Sequence, residues 1–506
     1  MSADYDLCVI GGGVNGTGIA RDAVGRGLSV ILAEAQDLGG ATSSASTKLI
    51  HGGLRYLEQY EFSLVRESLI EREILLQSAP HIIHPMDFVL PHDKSLRPAL
   101  MIRLGLFIYD HLGGHKILKK STSINFGNHV FGAPLQEKYK KGFSYTDCRV
   151  DDSRLVVLNA LDAKERGASV LTRTAVTHLR PQREEGLWHV SMRTLETGEE
   201  FQVKVRGVVN AGGPWVRAIL ERSNLAEKSS NVRLIKGSHI IVPKFYEGEQ
   251  AYILQQPDCR IVFAIPYEEN FTLVGTTDVE FRGDPTNVEI DEAEKTYLCE
   301  AVNRSFQKQV SPSDIEWSYS GVRSLLEDGE GSASKVTRDY KLEMKKDFGP
   351  PVLSVFGGKI TTYRRLSEQA VTMIGKELGN KKNPWTDKAV LPGGDFPEGF
   401  FESFVKAQAE KYPFLPPALL QRYARSYGTR MDKFVEGTTS LEELGRDFGD
   451  GVHEAEIIYL VVHEFAREVE DILWRRSKLG LHVSEETRRA LEAALPDIKK
   501  KVARYG

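Results

Sequence analysis

YDLCVIGGGVNGTGIARDAVGRGLSVILAE, which runs from Tyr5 to Glu34, is the stretch of sequence that decides the fold. Its apolar start predicts a buried parallel strand, and a second apolar run follows a glycine-rich turn and a helix. The glycines Gly11, Gly13 and Gly16 have the spacing G-x-G-x-x-G. In that pattern the first glycine permits a tight turn, the second lets the backbone approach a pyrophosphate, and the third lets helix and strand pack closely. The stretch therefore predicts an α/β domain that binds a dinucleotide.

The acidic residue Glu34 ends the second apolar run. A carboxylate at that position accepts hydrogen bonds from a ribose diol, while the free N–H groups at the helix N-terminus bind the phosphates. An acid there also disfavours a 2′-phosphate on the adenosine ribose. We therefore expect FAD or NAD, and not NADP, as the cofactor.

The chain has 506 residues, too many for one hydrophobic core, so two or three domains are expected. Its net charge of −4 excludes the global basicity of a nucleic-acid-binding protein. The four cysteines are scattered and lack C-x-x-C spacing, which fits a reducing cytosol and argues against a disulfide scaffold or a zinc site. The first strand begins too early for a signal peptide, and no uncharged apolar run approaches the ~20 residues of a spanning helix. We expect any membrane contact to be peripheral or monotopic.

A small, hydroxyl-rich loop follows the dinucleotide motif. Residues 39–46 are able to wrap a cofactor, or they form a flexible surface loop. The loop continues into KLIHGGLRY, residues 48–56, which mixes basic groups, a glycine pair and an Arg-Tyr pair in a way that solvated loops seldom do. The stretch ATSSASTKLIHGGLRYLEQYEF, residues 41–62, resembles the signature of the FAD-dependent glycerol-3-phosphate dehydrogenases, within the wider family of glycine and D-amino acid oxidases.

Two further glycine turns extend the resemblance. VVNAGGPWV, residues 208–216, closes an apolar strand in small residues that let the backbone approach a dinucleotide, and it supports FAD over NAD. VFGGKITTYRR, residues 355–365, places a glycine turn at a helix N-terminus, where it can face the pyrimidine end of a flavin; the family carries the same GGK-x-TTYR run. The further predicted cofactor contacts are Ser43, Ser44, Lys48, Leu49, Val176, Ala211, Gly212, Gly357, Gly358 and Thr361.

The remaining patterns predict a Rossmann-type FAD-binding domain of the α/β (α+β) class, with an inserted mixed-sheet substrate domain and a C-terminal helical domain. We expect the FAD-binding domain to comprise residues 1–80, 145–215 and 350–380, the substrate domain residues 81–144 and 216–349, and the helical domain residues 390–506. Helical periodicity in that last region predicts helices over residues 400–411, 417–427, 440–448, 454–474 and 484–505. The region has no Gly-rich site, so we interpret its Trp474-Arg475-Arg476 run, which is similar to the family's pattern, as structural or as an interaction surface.

A strongly apolar helix is expected over residues 98–112, with Arg97 and Arg103 at one end and Lys116, Lys119 and Lys120 beyond the other. That composition suits an amphipathic helix at a membrane interface. A buried core helix shows the same periodicity at this length, so the sequence does not separate the two interpretations.

Basic residues outside the dinucleotide motif point to the substrate. Arg55, Arg323, Arg338 and Lys359 are flanked by Gly, Ser, Thr or Tyr rather than by the Glu/Lys mixture of a solvated face. Any one of them alone is as well explained by an ion pair at the surface. If they converge, they demand an anionic ligand, and a phosphate dianion suits the bidentate geometry of arginine. The family resemblance implies that this ligand is sn-glycerol 3-phosphate.

The resemblance also implies the reaction. The C2 hydrogen of the substrate leaves as hydride to flavin N5 while a base removes the C2 hydroxyl proton, which gives dihydroxyacetone phosphate. We prefer His239 as the base because the ordinary pKa of histidine suits that role near neutral pH, although a histidine in an apolar strand is more often a core residue. Arg323 is expected to polarise the developing carbonyl, and Lys359 completes the catalytic set. The expected substrate contacts are Arg55, Tyr56, Thr276 and Arg338.

The electron acceptor divides the family into quinone-linked dehydrogenases and oxygen-using oxidases. This chain lacks a long insertion and C-terminal calcium-binding loops, so it resembles the compact bacterial respiratory form. We therefore expect a membrane quinone as acceptor and a location at the cytoplasmic side of the cell membrane, with residues 99–112 as the docking surface. The alternatives are an oxidase that releases hydrogen peroxide, an amine or amino-acid oxidase of the same superfamily, and a non-catalytic flavin scaffold. The oligomeric state, monomer or homodimer, stays open.

Overall fold

The structure, a computed structural model, describes residues 2–93, 97–113, 117–227, 229–326, 339–396 and 400–503. Its strands in chain order are β1 (Tyr5–Ile10), β2 (Val30–Ala33), β3 (Leu49–Ile50), β4 (Ile83–Pro91), β5 (Thr122–Asn125), β6 (Lys141–Val150), β7 (Ser169–Leu171), β8 (Thr174–Gln182), β9 (Leu187–Thr194), β10 (Glu200–Asn210), β11 (Val232–Pro243), β12 (Ala251–Gln255), β13 (Ile261–Tyr267), β14 (Phe271–Gly275), β15 (Val279–Glu280), β16 (Trp317–Leu326), β17 (Lys341–Lys345) and β18 (Val352–Phe356). Its α-helices are α1 (Val14–Gly25), α2 (Phe62–Ser78), α3 (Ala99–Leu112), α4 (Asp152–Glu165), α5 (Val216–Arg222), α6 (Glu292–Asn303), α7 (Tyr363–Glu377), α8 (Phe401–Lys411), α9 (Pro417–Tyr427), α10 (Asp432–Val435), α11 (Glu454–His463) and α12 (Glu485–Ala503).

The first sheet follows the order β17-β18-β10-β1-β2-β7, and β9 joins β10 while β8 joins β9. Strands β2, β1, β10 and β18 run parallel. Ile10, Ala33 and Asn210 lie side by side in register, and Ser354 of β18 lies beside Asn210. In such sheets ligands bind in the crevice beyond the carboxyl ends of the strands. The register therefore brings the three glycine turns to one edge.

Strand β1 is buried on both faces, as its apolar sequence predicts. Val9 packs with Ile19 of α1 and Leu366 of α7. Cys8, on the opposite face, packs with Trp188 of β9. The thiol therefore behaves as a small core residue, and its burial raises its pKa to about 12.

The second sheet is mixed and has the order β15-β11-β14-β13-β12-β4-β6-β3, with β16 joining β11 and β5 joining β6. Its only parallel pair among the described strands is β12 with β4. Strand β6 pairs with β4 from Gly142 to Val150. This sheet therefore runs across the domain boundary expected between residues 144 and 145; the boundaries themselves stay a prediction.

Helix α3 is buried on one face and exposed on the other, so it is not an entirely buried core helix; its contact with a membrane stays a prediction. Ile102 and Leu106 are buried in the core beneath the second sheet. On the other face Leu100 is 82% exposed, Leu104 is 58% exposed and Phe107 is 53% exposed. Among the described residues, no helix has the length and apolarity needed to cross a bilayer.

The C-terminal region is helical and packs around its own core of buried aromatic and aliphatic side chains. Two of its predicted helices are wrong. Residues 440–448 form only a short 3₁₀ turn, Glu442–Leu444, because Gly445 follows with a positive φ of 81° and ends it. The helix expected over residues 454–474 ends at His463.

The break after His463 has a tertiary cause. Glu464 is buried and forms an ion pair with Arg154 of α4, and its backbone carbonyl accepts a hydrogen bond from Arg476 Nε (2.7 Å). The next residue, Phe465, has a left-handed φ of 61°. Non-local bonds to Glu464 therefore override a local pattern that continues through it.

The pH dependence of stability offers a test of the packing around His84 in β4. Burial, with Arg149 and Arg425 nearby, lowers the pKa of His84 to about 3. The unfolded chain binds a proton here below the ordinary histidine pKa, whereas the folded chain does not, so the folded state loses stability as pH falls through ~6.5. Between about pH 7.5 and about pH 5.5 we expect the wild type to lose about 1.4 kcal/mol more than His84→Asn. Urea unfolding at both pH values measures the difference, and equal losses would contradict the burial of a neutral imidazole.

Candidate cofactor and substrate site

A cleft of about 480 Å³ opens where the three glycine turns meet. The dinucleotide motif lines one end, and strands β11 and β16 line the other. The predicted site residues that line this cleft are Gly11, Gly13, Glu34, Ser43, Leu49, Tyr56, Val176, Ala211, Gly212, His239, Thr276, Arg323, Gly357, Gly358, Lys359 and Thr361. One cavity thus brings together residues from both sheets.

The glycines of the first motif are close-packed. A Cβ on Gly11 would lie 2.6 Å from the carbonyl oxygen of Ala211, and Gly11 has a positive φ of 105°. A Cβ on Gly16 would lie 1.9 Å from the carbonyl oxygen of Gly11. Gly16 does not line the cleft; it lets α1 pack against the turn. Any larger side chain at either position would displace the backbone that surrounds the cleft.

Glu34 stands at the end of β2 with its carboxylate in the cleft wall. Its Oε2 accepts the N–H of Gly12 (2.5 Å), and its Oε1 accepts the N–H of Gln36 (2.7 Å). Burial raises the pKa of this carboxyl group, and the two N–H groups oppose that rise. Each carboxylate oxygen keeps a lone pair for a further donor, as a ribose diol requires.

The hydroxyl-rich loop closes over the N-terminus of α1. Ser43 Oγ accepts the N–H of Val14 in the first turn of that helix (3.0 Å). Ser44 and Lys48 instead line a neighbouring cavity of about 220 Å³. The Lys48 ammonium donates to the Ser44 carbonyl (2.9 Å) and to Asp152 (2.8 Å). The structure therefore does not bring these two predicted cofactor residues into the main cleft.

The third glycine turn is fixed to the first. Asn15 Nδ2 donates to the carbonyl of Gly357 (3.2 Å), and a Cβ on Gly358 would lie 3.0 Å from that amide. Both glycines have positive φ. The three turns thus form a close-packed backbone cradle that has no room for added Cβ atoms. With an acid at one end, this cradle fits FAD.

At the other end of the cleft, alternate residues of β11 and β16 face the cofactor side. A Cβ on Gly237 would lie 2.2 Å from Arg323 Nη2 and 2.8 Å from Thr276 Oγ1. Arg323 Nη2 donates to the carbonyl of Thr277 (3.0 Å) and lies 3.1 Å from the Asp278 carboxylate. The turn after β14 therefore holds the guanidinium flat across a glycine of β11.

His239 is buried in β11, where it pairs in register with Tyr319 of β16; the Gly237–Gly321 pair separates it from Arg323. Its Nε2 lies 3.0 Å from Thr47 Oγ1, and its ring stacks on Tyr319 with centroids 4.8 Å apart. Its Nδ1 has no hydrogen-bond partner among the residues that the structure describes. Burial, with the positive charges of Lys48 and Arg323, lowers the pKa of His239 well below its ordinary value. The imidazole is therefore neutral near pH 7.

Of the remaining predicted substrate residues, Lys359 and Tyr56 line the cleft and Arg55 does not. Lys359 Nζ lies 3.7 Å from the centroid of the Tyr56 ring, a cation–π contact at the wall of the cleft. Arg55 belongs to the same 3₁₀ turn as Tyr56 but does not line the cleft. Arg338 lies outside the described residues.

Thr47, His51 and Asp278 are among the site residues that were not in the predicted set. Thr47 bonds His239, and Asp278 holds Arg323. His51 lines the cleft, and its N–H donates to Thr361 Oγ1 (3.2 Å). Thr47 and His51 both lie in the stretch that carried the family resemblance, so that stretch was the signal that could have found them.

Comparisons with known families cover nearly the whole chain. Residues 6–364 match the model of the FAD dependent oxidoreductases, and residues 384–503 match the C-terminal domain of alpha-glycerophosphate oxidase. A glycerol-3-phosphate dehydrogenase of Pseudomonas aeruginosa is 52% identical over 95% of this chain and 93% of that protein. A D-erythritol 1-phosphate dehydrogenase of Brucella abortus is 50% identical over 96% of both chains.

A solved structure shows the same fold. The glycerol-3-phosphate dehydrogenase from Bacillus halodurans, complexed with FAD, superposes with a TM-score of 0.77 and is 26% identical, with 99% of this chain and 91% of that chain covered. The comparisons confirm the predicted fold class and the predicted FAD cofactor.

Proposed function

The chain belongs to the family of FAD-dependent glycerol-3-phosphate dehydrogenases, and from this premise we propose that it oxidises sn-glycerol 3-phosphate to dihydroxyacetone phosphate. One observation carries the proposal: the cavity that holds the dinucleotide cradle continues, without a break, to a histidine and two basic side chains. A phosphorylated alcohol supplies the anion that those basic groups need and the proton that the histidine can take.

In this reaction FAD, when bound, supplies the acceptor of the C2 hydride. We propose that Lys359 and Tyr56 hold oxygens of the substrate and that Thr276 contacts it from the second sheet. Arg323 is positioned to stabilise negative charge that develops on the C2 oxygen, because Thr277 and Asp278 fix its guanidinium and limit its rearrangement.

His239 remains our proposed base. A neutral imidazole can take the C2 hydroxyl proton, although its lowered pKa makes it a weak one. Its lowered pKa comes from burial and from two nearby cations, and a phosphate dianion in the same cleft opposes the effect of those cations. Substrate binding would therefore move the pKa of His239 towards the working pH. Arg55 and Arg338 stay predictions as substrate contacts.

The Brucella relative supports a second candidate, D-erythritol 1-phosphate, because it is as similar to this chain as the glycerol-3-phosphate dehydrogenase is. Both substrates are polyol phosphates, and the four-carbon one needs room for one more hydroxymethyl group. The same residue roles apply to either.

A substrate panel separates these candidates. We expect kcat/KM to be highest for sn-glycerol 3-phosphate, with glycerol itself nearly inactive because it lacks the phosphate that the basic groups bind. A preference for D-erythritol 1-phosphate would move the assignment to the second candidate. Turnover of glycine or D-alanine in place of either phosphate would contradict the proposal.

We further propose a membrane quinone as the final electron acceptor and the exposed face of α3 as the surface that contacts the membrane at its cytoplasmic side. Lys119 and Lys120 follow this helix and are exposed, so they complement anionic lipid headgroups; Lys116 lies outside the described residues. Oxygen is the alternative acceptor. Comparing turnover with a ubiquinone analogue against hydrogen peroxide release in air distinguishes the two.

A double variant tests the membrane contact. Leu104→Glu/Phe107→Glu places two charges on the exposed face of α3, and we expect it to bind anionic vesicles about tenfold more weakly or worse, because charged groups do not enter the lipid interface. Vesicle co-sedimentation measures the effect. Phe400→Glu is the matched control, since Phe400 is 69% exposed but precedes α8 in the C-terminal region. Unchanged binding of the double variant would remove α3 from the membrane contact.

A further inference from the structure

Basic side chains of the turn Asp471–Arg476 in the C-terminal region contact Asp37, close to the predicted FAD cleft. Arg476 donates from Nη2 to Asp37 Oδ1 (2.7 Å) and from Nη1 to Asp37 Oδ2 (2.5 Å). Arg475 forms a second ion pair with the same carboxylate. Asp37 and Arg476 are both buried, and Asp37 follows Glu34 by three residues. Two arginines therefore hold the chain just before the hydroxyl-rich loop begins.

The far end of that loop is held by Lys478, two residues after the turn. Lys478 donates to Ser153 Oγ at the start of α4 (2.7 Å). Asp152, beside Ser153, accepts hydrogen bonds from Ser46 Oγ (2.7 Å) and from the Lys48 ammonium (2.8 Å). The N-terminus of α4 thus links Lys478 to the residues that end the loop.

A third contact reaches the substrate strand. The ring of Trp474 stacks on that of Trp317 with centroids 4.1 Å apart and planes 22° apart. Trp317 begins β16, the strand that carries Arg323. The loop itself donates to β16 from Thr42 Oγ1 to the carbonyl of Val322 (2.6 Å). Loop, strand and turn therefore form one connected unit.

The loop between these anchors, residues 39–47, is a wall of the cleft. Within it, the N–H of Gly39 donates to the carbonyl of Gly12 (3.0 Å) and the N–H of Gly40 donates to the carbonyl of Asp37 (2.9 Å). Displacing Asp37 would therefore loosen the first turn of the loop and, with it, Ser43 at the N-terminus of α1.

We propose that the segment 471–478, which begins with this turn, clamps the loop at residues 39–47 and thereby retains FAD in the cleft. Asp37, Arg475 and Arg476 act as positioning residues, since they hold the loop from behind. The C-terminal region has no Gly-rich site, and its sequence therefore does not indicate a role in cofactor binding. The clamp gives it such a role. The turn is π-helical, a departure from regular helix that is frequent where side chains have a functional task. The inference rests on FAD occupying the cleft and is independent of which polyol phosphate is oxidised.

The test measures how fast the purified holoenzyme releases FAD. Asp37→Asn breaks the buried ion pair at constant side-chain size, and Arg476→Gln breaks it with a shorter, neutral side chain. We expect either variant to release FAD about tenfold faster or more, because a buried charge that loses its partner is strongly destabilising. Turnover lost by this route should return when FAD is added in excess. The double variant should release FAD less fast than the product of the two single effects predicts, since the Asp37–Arg476 pair is lost in both single variants. Arg475→Gln, at a less buried position, should give a smaller increase and keeps the test usable if Arg476→Gln does not fold.

Glu456→Gln is the matched control. Glu456 is buried in the C-terminal region, where it pairs with Arg422 (2.6 Å) and accepts a hydrogen bond from Tyr427 (2.5 Å), and it does not touch the loop. This variant should lower the melting temperature without changing FAD release below it. Wild-type release rates in Asp37→Asn and Arg476→Gln would overturn the clamp, as would equally fast release from Glu456→Gln. A wild type that binds FAD but oxidises neither polyol phosphate would contradict the proposed function and leave the clamp intact.

Discussion

Replacing Arg323 with alanine is expected to lower kcat for sn-glycerol 3-phosphate by about 10²- to 10³-fold, the usual effect of removing one group that stabilises charge developing in the transition state. The guanidinium lies in the cleft and is fixed by the carbonyl of Thr277 and by Asp278. It takes no part in the glycine cradle, so FAD content should stay at the wild-type level. Anaerobic stopped-flow reduction of the bound flavin measures the effect directly.

Two further variants make the result specific. Arg323→Lys keeps the charge and loses the planar fork, so its rate should fall between those of wild type and Arg323→Ala. Arg282→Ala removes an arginine that is 86% exposed and paired only at the surface with Glu280, and its rate should equal that of the wild type. Near-normal turnover in Arg323→Ala would remove this residue from the reaction.

The second large effect is expected for His239→Asn. Loss of a general base usually lowers the rate by about 10²- to 10⁴-fold. We expect a loss in that range in kcat, with bound FAD close to wild type, because asparagine is small enough for the space and His239 takes no part in the glycine cradle. Rapid-reaction flavin reduction at saturating substrate is the measurement.

His51→Asn is the informative companion, because His51 also lines the cleft but does not share the buried position between Thr47 and Tyr319. We expect it to retain far more activity than His239→Asn. If the order of the two variants is reversed, the proton acceptor is His51 and the assignment of His239 is wrong.

Most residues of the cofactor half of the site could be predicted from the sequence, because the patterns that mark them are local. Each glycine turn follows an apolar strand, and parallel strands end at one sheet edge, so Gly11, Ala211 and Gly357 had to come together once the strands paired. The same argument fails for Ser44 and Lys48. They belong to the right loop, but a buried carboxylate 104 residues further on, Asp152, draws the lysine away from the main cleft.

The substrate half depended more on contacts that no local pattern contains. The stretch around Thr47 approaches His239 across 192 residues of sequence. Neither the segment around Thr47 nor strand β11, which carries His239, contains a local sequence pattern that indicates this contact. The clamp at Asp37 is a stronger case, because its arginine partner is 439 residues away and follows a helix break that the periodicity of residues 454–474 does not show.

The central claim is that one cleft holds FAD and a polyol phosphate so that hydride passes between them. Mixing the purified protein with sn-glycerol 3-phosphate without oxygen tests it most directly. We predict that the visible flavin absorbance bleaches and that dihydroxyacetone phosphate appears in equal amount, with the colour restored by a ubiquinone analogue. A protein that stays yellow with both sn-glycerol 3-phosphate and D-erythritol 1-phosphate, or one that takes up no flavin at all, would contradict the claim.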